Sequence, residues 1–336
     1  QKGVALEWPA ELSDHRSDEA AGHLKTRLPP FKGRLGIAIP GNRVLMRIME
    51  FPSTDPEELL GMAELQIDKI SPFPTDQMAL AIEVLSQVGE SSRVLIAAVQ
   101  HDYIDHLGQF LTTAGLYPQS VDVDVLGWWY LIHDAGKVPA EGQHILVIHD
   151  EGCAQLLIVR DGVPVVIRAL DAGLAMQSPS FAAEIADEIE YTLMTMESAW
   201  GSHPTTGLSL WTNGAASDEL IRALSEACRL EVVTHDLASL PPLSEGCSRR
   251  MAAAAPAALD LAPAAWKRGI ASRKYQRLAV TIAGTTFGVW ALIMLGLWGW
   301  TLYQKRLLNE AQADMTRLQR DVDLATLQQI DIGRSV

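Results

Sequence analysis

The sequence predicts an α/β domain made of two similar halves, followed by one transmembrane helix and a short coiled-coil segment. Three observations carry this. Between Leu35 and Thr234, β-rich runs and amphipathic helical runs alternate twice in a similar order. The stretch from Leu278 to Gln304 holds no Lys, Arg, Asp or Glu. Beyond it, Leu308, Ala311, Met315, Leu318, Val322 and Ala325 recur at alternating steps of three and four, a heptad seam.

In the first half, Leu35–Ile39 and Val44–Met49 are β-rich runs joined by Pro40-Gly41-Asn42, which predicts a hairpin. Thr54-Asp-Pro-Glu57 has the form of a capping box with proline in the first turn, and opens a helix to about Ile70. Met78–Leu85 and Arg93–Val99 read as strands. Tyr103, Leu107, Phe110, Leu111 and Ala114 form a helical stripe that ends at Gly115, and Val121–Val125 is the next strand. In the second half, His144–His149 and Gln155–Arg160 are strands, and Arg160-Asp161-Gly162 turns the chain into Val163–Ala169. Phe181, Ile185, Ile189, Leu193, Met196 and Trp200 mark the apolar face of a long helix. Leu208–Thr212, Asp218–Cys228 and Leu230–Thr234 follow as strand, helix and strand. Hairpin, helix, strand, helix, strand is the order in both halves, with an extra strand in the first, so a duplicated sheet architecture with a cleft between halves is expected.

The expected boundaries are a cytoplasmic domain over residues 1–246, a linker and basic juxtamembrane segment over 247–277, the transmembrane helix over 278–303, and a periplasmic helical segment over 304–336. The linker assignment rests on the Ala- and Pro-rich composition from Met251 to Ala265.

The net charge of −14 and the pI of about 5.1 argue against nucleic acid as the main partner, because phosphate binding needs Lys and Arg gathered on one face. Cys153, Cys228 and Cys247 are widely spaced, with no CxxC or Cys/His cluster, and read as reduced structural thiols. The chain opens on Gln1 and shows no charged-then-apolar leader.

The uncharged stretch exceeds the roughly 20 residues needed to cross a bilayer. Leu278, Val280, Ile282, Phe287, Val289, Leu292, Ile293, Leu295 and Leu297 together favour insertion by roughly 3 to 5 kcal/mol. Trp290, Trp298, Trp300 and Tyr303 cluster toward its far side, where Trp298, Trp300 and Tyr303 fit an interfacial belt. Gly284 and Gly288 make a GxxxG match, a weak dimerisation signal. The alternative, a buried helix of a soluble core, is disfavoured because such helices rarely run this long without a charge. Lys267, Arg268, Arg273, Lys274 and Arg277 precede the stretch, whereas Lys305 and Arg306 follow it, soon joined by Glu310 and Asp314. The larger basic cluster places the N-terminal domain in the cytoplasm and the C-terminus outside. Dimerisation is assigned to Gly284, Gly288, Leu308, Met315, Leu318 and Val322; a solvated helical stalk is the alternative for the seam, which is short and carries two Ala.

No catalytic constellation stands out, and no enzyme is expected. His149 with Asp150 could act as an acid/base pair, but the simpler reading of His144, His149 and Asp150 is an ordinary strand terminus. Glu184, Asp187, Glu188 and Glu190 form an acidic run on one helix: a solvated face, or a docking surface for a basic partner. Trp128 and Trp129 read as core, with a cleft lining as the alternative. Pro72-Phe73-Pro74 is either a binding edge or a rigid turn that packs Phe73 inward.

Three stretches carry a family resemblance. They are Leu35-Gly-Ile-Ala-Ile-Pro-Gly-Asn-Arg-Val-Leu-Met-Arg with Phe51-Pro and Ser71-Pro-Phe-Pro; Val94-Leu-Ile-Ala-Ala-Val with Ala114-Gly-Leu-Tyr-Pro-Gln-Ser-Val-Asp-Val-Asp; and Arg160-Asp-Gly-Val-Pro-Val-Val-Ile-Arg. Together they span most of residues 34 to 235. The chain resembles the actin-like inner-membrane platform proteins of bacterial type II secretion (the L component) and type IV pilus assembly (the M component). Leu259-Asp-Leu261 is similar to the leucine-rich lead-in of the pilus N component, so a fusion of M and N types is a further option. The resemblance implies a duplicated actin-like (ribonuclease H-like) fold and a scaffold role: coupling a cytoplasmic assembly ATPase to other inner-membrane platform proteins, as a homo- or hetero-dimer. The other class kept open is a membrane-anchored actin-like ATPase or kinase; a membrane sensor for a small ligand is a third. In actin-like folds two glycine-containing hairpins hold phosphates through backbone N–H groups, and an acidic residue positions the metal. Asp150-Glu151-Gly152-Cys153 occupies the place of the second, and Thr212-Asn213-Gly214-Ala215 that of the adenine-side turn. The first is expected before Arg34, where no phosphate loop is legible, so the N-terminal part of the fold is expected to be incomplete. Asp150, Gly152, Asn213 and Gly214 thus form a degenerate nucleotide site. No cofactor is the expectation, with ATP and Mg²⁺ as the alternative.

Overall fold

The computed structural model describes residues 18–27, 34–150, 153–170, 180–201, 203–253 and 258–334. The chain divides into two compact units, Gln1–Arg268 and Gly269–Val336.

In the first unit, α1 (Asp18–Arg27) precedes a half made of β1 (Gly36–Ile39), β2 (Leu45–Phe51), α2 (Pro56–Ile70), β3 (Met78–Val88), β4 (Ser91–Gln100), α3 (His101–Thr113), β5 (Ser120–Val123) and α4 (Asp124–Asp134). α2 starts where Asp55 caps it: the carboxylate accepts the N–H groups of Glu57 and Glu58 at 2.9 and 3.0 Å, with Pro56 in the first turn. The cap therefore sits one residue beyond the Thr54 expected from the capping-box pattern. Leu59, Ala63 and Ile67, four residues apart, are fully buried with Val94, Ile96 and Ala98 of β4. The other face of β4 (Leu95, Ala97 and Val99) enters a second core. Burial on both faces explains why β4 reads as an unbroken apolar run. α3 ends at Gly115, whose φ of +79° is the left-handed cap, with Leu116 N–H donating to the Leu111 carbonyl at 2.8 Å.

The predicted hairpin of Leu35–Met49 does not form. β1 pairs in parallel with β5, with Ile37 opposite Val121, while β2 pairs antiparallel with β4, with Ile48 opposite Leu95. Gly41–Arg43 winds as a single 3-10 turn closed by Arg43 N–H to the Pro40 carbonyl at 3.0 Å. The chain changes sheets there instead of folding back on itself. The strand expected at Val121–Val125 stops at Val123, because Asp124 opens α4.

The second half follows the sequence reading closely. β6 (Gln143–Asp150), β7 (Cys153–Arg160), β8 (Val163–Leu170), α5 (Phe181–Trp200), β9 (Thr205–Thr212), α6 (Asp218–Cys228) and β10 (Val232–Asp236) form a five-stranded sheet of order β10-β9-β6-β7-β8. Asp161 and Gly162, at φ +51° and +77°, make the β7–β8 turn. Ile145 and Val147 of β6 pack under α5 and α6, while Leu146 and Ile148 face the core shared with the first half. The turn after β9 exposes Asn213 and Gly214.

The segment expected as a linker belongs to the folded unit. α7 (Leu243–Ala253) packs on α4, and Leu259, Leu261 and Ala262 are buried in the shared core. Just ahead of the Ala- and Pro-rich stretch, Leu243, Gly246, Cys247 and Arg250 recur at helical spacing and form the inward face of α7. The last helix, α8 (Ala264–Arg334), begins inside the first unit and makes up the second.

Burial pushes the thiol of Cys247 up to about 12, helped by Asp122 and Asp124, and that of Cys228 up to about 11, helped by Glu190. Both thiols are therefore un-ionised at neutral pH. Iodoacetamide at pH 7.5 is expected to leave Cys228 and Cys247 unmodified in the native protein and to modify both after denaturation, as read by peptide mass analysis; rapid native modification of Cys247 would show that α7 is not docked.

Candidate functional site

Two constellations on the first unit bring polar groups together. The first docks the tail. Arg250 on α7 is 5% exposed and pairs with Asp122 of β5 at 2.5 Å and with Glu83 of β3. Asp122 is fully buried. The same Glu83 carboxylate accepts the N–H of Leu259 at 2.9 Å. Leu261 N–H donates to the Val121 carbonyl at 2.9 Å, and Val121 N–H donates to Asp260 at 3.0 Å. The tail thus covers an edge of β5 with main-chain and side-chain bonds. Lys267 then pairs with Asp260 at 2.7 Å.

Glycines make sockets for this tail. A Cβ at Gly127 would stand 2.4 Å from Cys247 Sγ, one at Gly246 2.7 Å from the Gly127 carbonyl, and one at Gly108 2.3 Å from the Trp266 ring. Each separation is too short for a real Cβ, so α4–α7 and α3–Trp266 approach as closely as they do only because side chains are missing. Beside the dock lies a cavity of about 250 Å³ lined by Glu83, Leu126, Trp129, Tyr130, Ile167 and Arg250. Trp129 is therefore a cavity wall, whereas Trp128 is core.

Burial, which outweighs the attraction of Arg250, raises the Asp122 carboxyl to about 6. The sequence reading missed Arg250, Glu83 and Asp122. The available signal was Asp122 and Asp124 inside an apolar run, because a carboxylate is buried only with partners.

The second constellation lies where the two halves meet. Gly41 N–H of the β1–β2 turn, Val125 N–H and the Gln155 side-chain amide of β7 all donate to Asp124 Oδ1, at 2.9, 2.6 and 3.0 Å. Burial, with the like charge of Asp150 adding, raises the Asp124 carboxyl above its ordinary range despite these bonds. Asp150 accepts the Trp128 indole N–H at 3.1 Å. His149 packs its ring 5.5 Å from Phe181, and burial lowers its basicity. Adjacent strand residues point to opposite faces, so His149 and Asp150 do not form an acid/base pair.

Gly214 (φ +88°) donates its N–H to Asp236 at 3.4 Å, and Thr212 Oγ1 donates to the Gly214 carbonyl at 2.7 Å. Gly152 and its neighbour Glu151 lie outside the described residues. Of the residues expected to hold a nucleotide, Asp150 reaches the cleft, while Asn213 and Gly214 sit at a solvent-exposed turn tied to Asp236. Among the described residues no group of three or more His, Cys, Asp or Glu is arranged to hold a metal ion.

The remaining sequence candidates are placed as follows. Pro72 and Phe73 are exposed in the loop after α2, so Phe73 does not pack inward. Glu188 pairs with Arg168 at 2.6 Å and Glu184 is half-buried, while Asp187 and Glu190 on the same helix are exposed. Trp290, Trp298 and Trp300 are exposed on α8, as are Leu308, Met315, Leu318 and Val322, and Gly284 and Gly288 have open space at Cβ. The side chain of Leu278 lies outside the described residues. α8 is long and apolar enough, over Thr281–Arg320, to cross a membrane.

Residues 19–157 match the family model for type IV pilus assembly protein PilM. None of the curated proteins matches the chain. Among solved structures, the PilM–PilN type IV pilus biogenesis complex is similar at 17% identity and a TM-score of 0.52, over 69% of this chain and 80% of that one. The cytoplasmic domain of EpsL, an inner-membrane component of the Vibrio cholerae type II secretion system, follows at 12% identity and a TM-score of 0.43, over 74% and 85% of the two chains. A Bacteroides thetaiotaomicron protein of unknown function with an actin-like ATPase fold matches at 10% identity and a TM-score of 0.43, over 68% and 80%. The folded unit of this chain thus has an actin-like fold, and its residues 19–157 match the PilM family model.

Proposed function

We propose that the chain is an inner-membrane platform protein of a type IV pilus or type II secretion machine, a scaffold that couples a cytoplasmic assembly ATPase to membrane and periplasmic components. The observation that carries this reading is the docked tail: α7 and residues 258–262 are bonded into the actin-like unit immediately before the apolar helix begins. Force on the membrane helix would be transmitted to the β5 edge through Arg250 and Asp260, with no free linker to absorb it. The similar structure is a complex of two proteins, PilM and PilN. Here the actin-like unit and a membrane helix with its leucine-rich lead-in lie in one polypeptide, which supports the M–N fusion reading. The basic cluster ahead of the apolar helix supports a cytoplasmic actin-like unit and a periplasmic C-terminus. Leu308, Met315, Leu318 and Val322, exposed at heptad spacing, supply a seam for a second copy or another platform helix.

The full chain, purified in detergent and immobilised, is expected to retain the assembly ATPase or a platform component from a lysate of a cell that carries the machine. Retention of no component would overturn the reading.

The dock itself is testable. Arg250→Met leaves Asp122 and Glu83 buried without their cation and is expected to destabilise the folded unit by about 3 to 5 kcal/mol. Gly108→Leu displaces Trp266 and is expected to expose residues 251–265 to protease while the sheet core stays resistant. Wild-type protection in both variants would show that the dock holds nothing.

The pH dependence follows from Asp122. Its folded value of about 6 lies above the ordinary 3.8, so its stabilising contribution is complete below pH 3.8 and is lost as pH rises through about 6. Denaturant titrations of wild type and Asp122→Asn are expected to diverge across this window by up to roughly 3 kcal/mol; parallel curves would contradict the assignment.

A further inference from the structure

The actin-like fold implies ATP with Mg²⁺ between the halves, and the described residues do not fit it. An anion at the β1–β2 turn needs free backbone N–H groups and a nearby cation. The Gly41 N–H is already spent on Asp124 Oδ1, an oxygen that takes two further donors, from Val125 and Gln155. The neighbouring carboxylate, Asp150, is held by Trp128. A phosphate at this turn would therefore have to displace Asp124 from the Gly41 and Val125 N–H groups and the Gln155 amide, and would meet that carboxylate at close range in a half-buried setting. The turn after β9 repeats the pattern: Gly214 N–H is directed at Asp236, which also accepts Ala238 N–H at 2.9 Å.

We infer that Asp124 stands in for a nucleotide phosphate, latching the first half to the second through Gly41 and Gln155 and keeping the cleft closed to ATP. Asp124 opens α4 in the first half, and Gln155 lies on β7 in the second. In a nucleotide-responsive protein of this fold, the bound phosphate would bridge the halves and could leave. The carboxylate is covalently part of the chain, so the bridge is permanent. Packing supports this reading, since a Cβ at Gly41 would lie 3.0 Å from Gln155 Nε2 and 3.2 Å from Asp124 Oδ1. The turn is thus in close contact with the latch. The inference stands apart from the platform reading: a latched cleft needs no particular partner.

The test uses the full chain in detergent. Calorimetric titration with Mg-ATP and Mg-ADP is expected to show no binding to wild type up to millimolar nucleotide. Asp124→Ser removes the shared acceptor and is expected to lower the melting temperature by about 3 to 8 °C. Should that variant fail to fold, Gln155→Leu cuts the bridge between halves while leaving Asp124 on its own turn, and is expected to lower the melting temperature by about 2 to 4 °C. Wild-type binding of Mg-ATP tighter than about 100 µM would overturn the inference. So would Asp124→Ser melting with wild type, or Gln155→Leu melting with wild type where it alone folds.

Discussion

A buried guanidinium demands its full set of partners, because an uncompensated charge away from water costs several kcal/mol. Arg250 meets that demand with two carboxylates drawn from different strands, Glu83 of β3 and Asp122 of β5. Neither carboxylate belongs to the element that carries Arg250. The pairing can therefore be satisfied only if α7 lies against the first half in one register. The other tail contacts depend on that register: Cys247 over Gly127, Leu259 N–H on Glu83, and Asp260 on Val121. The triad adds little net stability as an ion cluster. Its effect is specificity, since any slip of α7 by one residue buries unpaired charge.

The glycine sockets act through shape where the triad acts through charge. Gly127 and Gly246 let two helices cross at backbone contact, and Gly108 accepts the face of Trp266. A tail held by both means has a fixed place on the domain, which a flexible Ala- and Pro-rich linker, the arrangement the composition suggested, would lack. The docked tail and the latched cleft share one physical device, the use of the chain's own carboxylates as fixed counter-groups. Asp122 fixes a cation and Asp124 fixes backbone donors, and the two lie on either side of Val123 at the β5–α4 junction.

Much of the second half could be read from the sequence because its signals are local. Asp161-Gly162 requires positive φ, β7 and β8 flank it, and the stripe from Phe181 to Met196 has the helical period. The first half was less legible because its pairings are not local. Pro40-Gly41-Asn42 signals a turn, but a turn signal does not name the partner strand, and β1 finds its partner at β5, after Ser120. The stretch Val121–Val125 reads as one strand because its valines alternate with Asp122 and Asp124 at a period of two. Both proved to organise a site. Arg250 escaped notice because Leu243, Gly246, Cys247 and Arg250, which have the spacing of a helix with one buried face, straddle the expected domain boundary at residue 246 and were not read as one element.

The second unit obeys a different constraint. Ile282, Phe287, Leu292, Ile293, Leu295 and Trp298 are exposed along α8, and no element of that unit covers them. In water this would expose far more contiguous apolar surface than a soluble protein sustains. A bilayer removes the cost, because hydrocarbon is as apolar as those side chains, and the helix satisfies its own backbone groups. The same reasoning does not extend to Leu308, Met315, Leu318 and Val322, which are separated by Glu310, Asp314, Arg317 and Arg320. Charges at that density exclude hydrocarbon, while apolar residues at steps of three and four remain to be covered. A helix apolar all round along one stretch and carrying a narrow apolar seam along the next suits two kinds of neighbour, hydrocarbon for the first and a partner helix for the second.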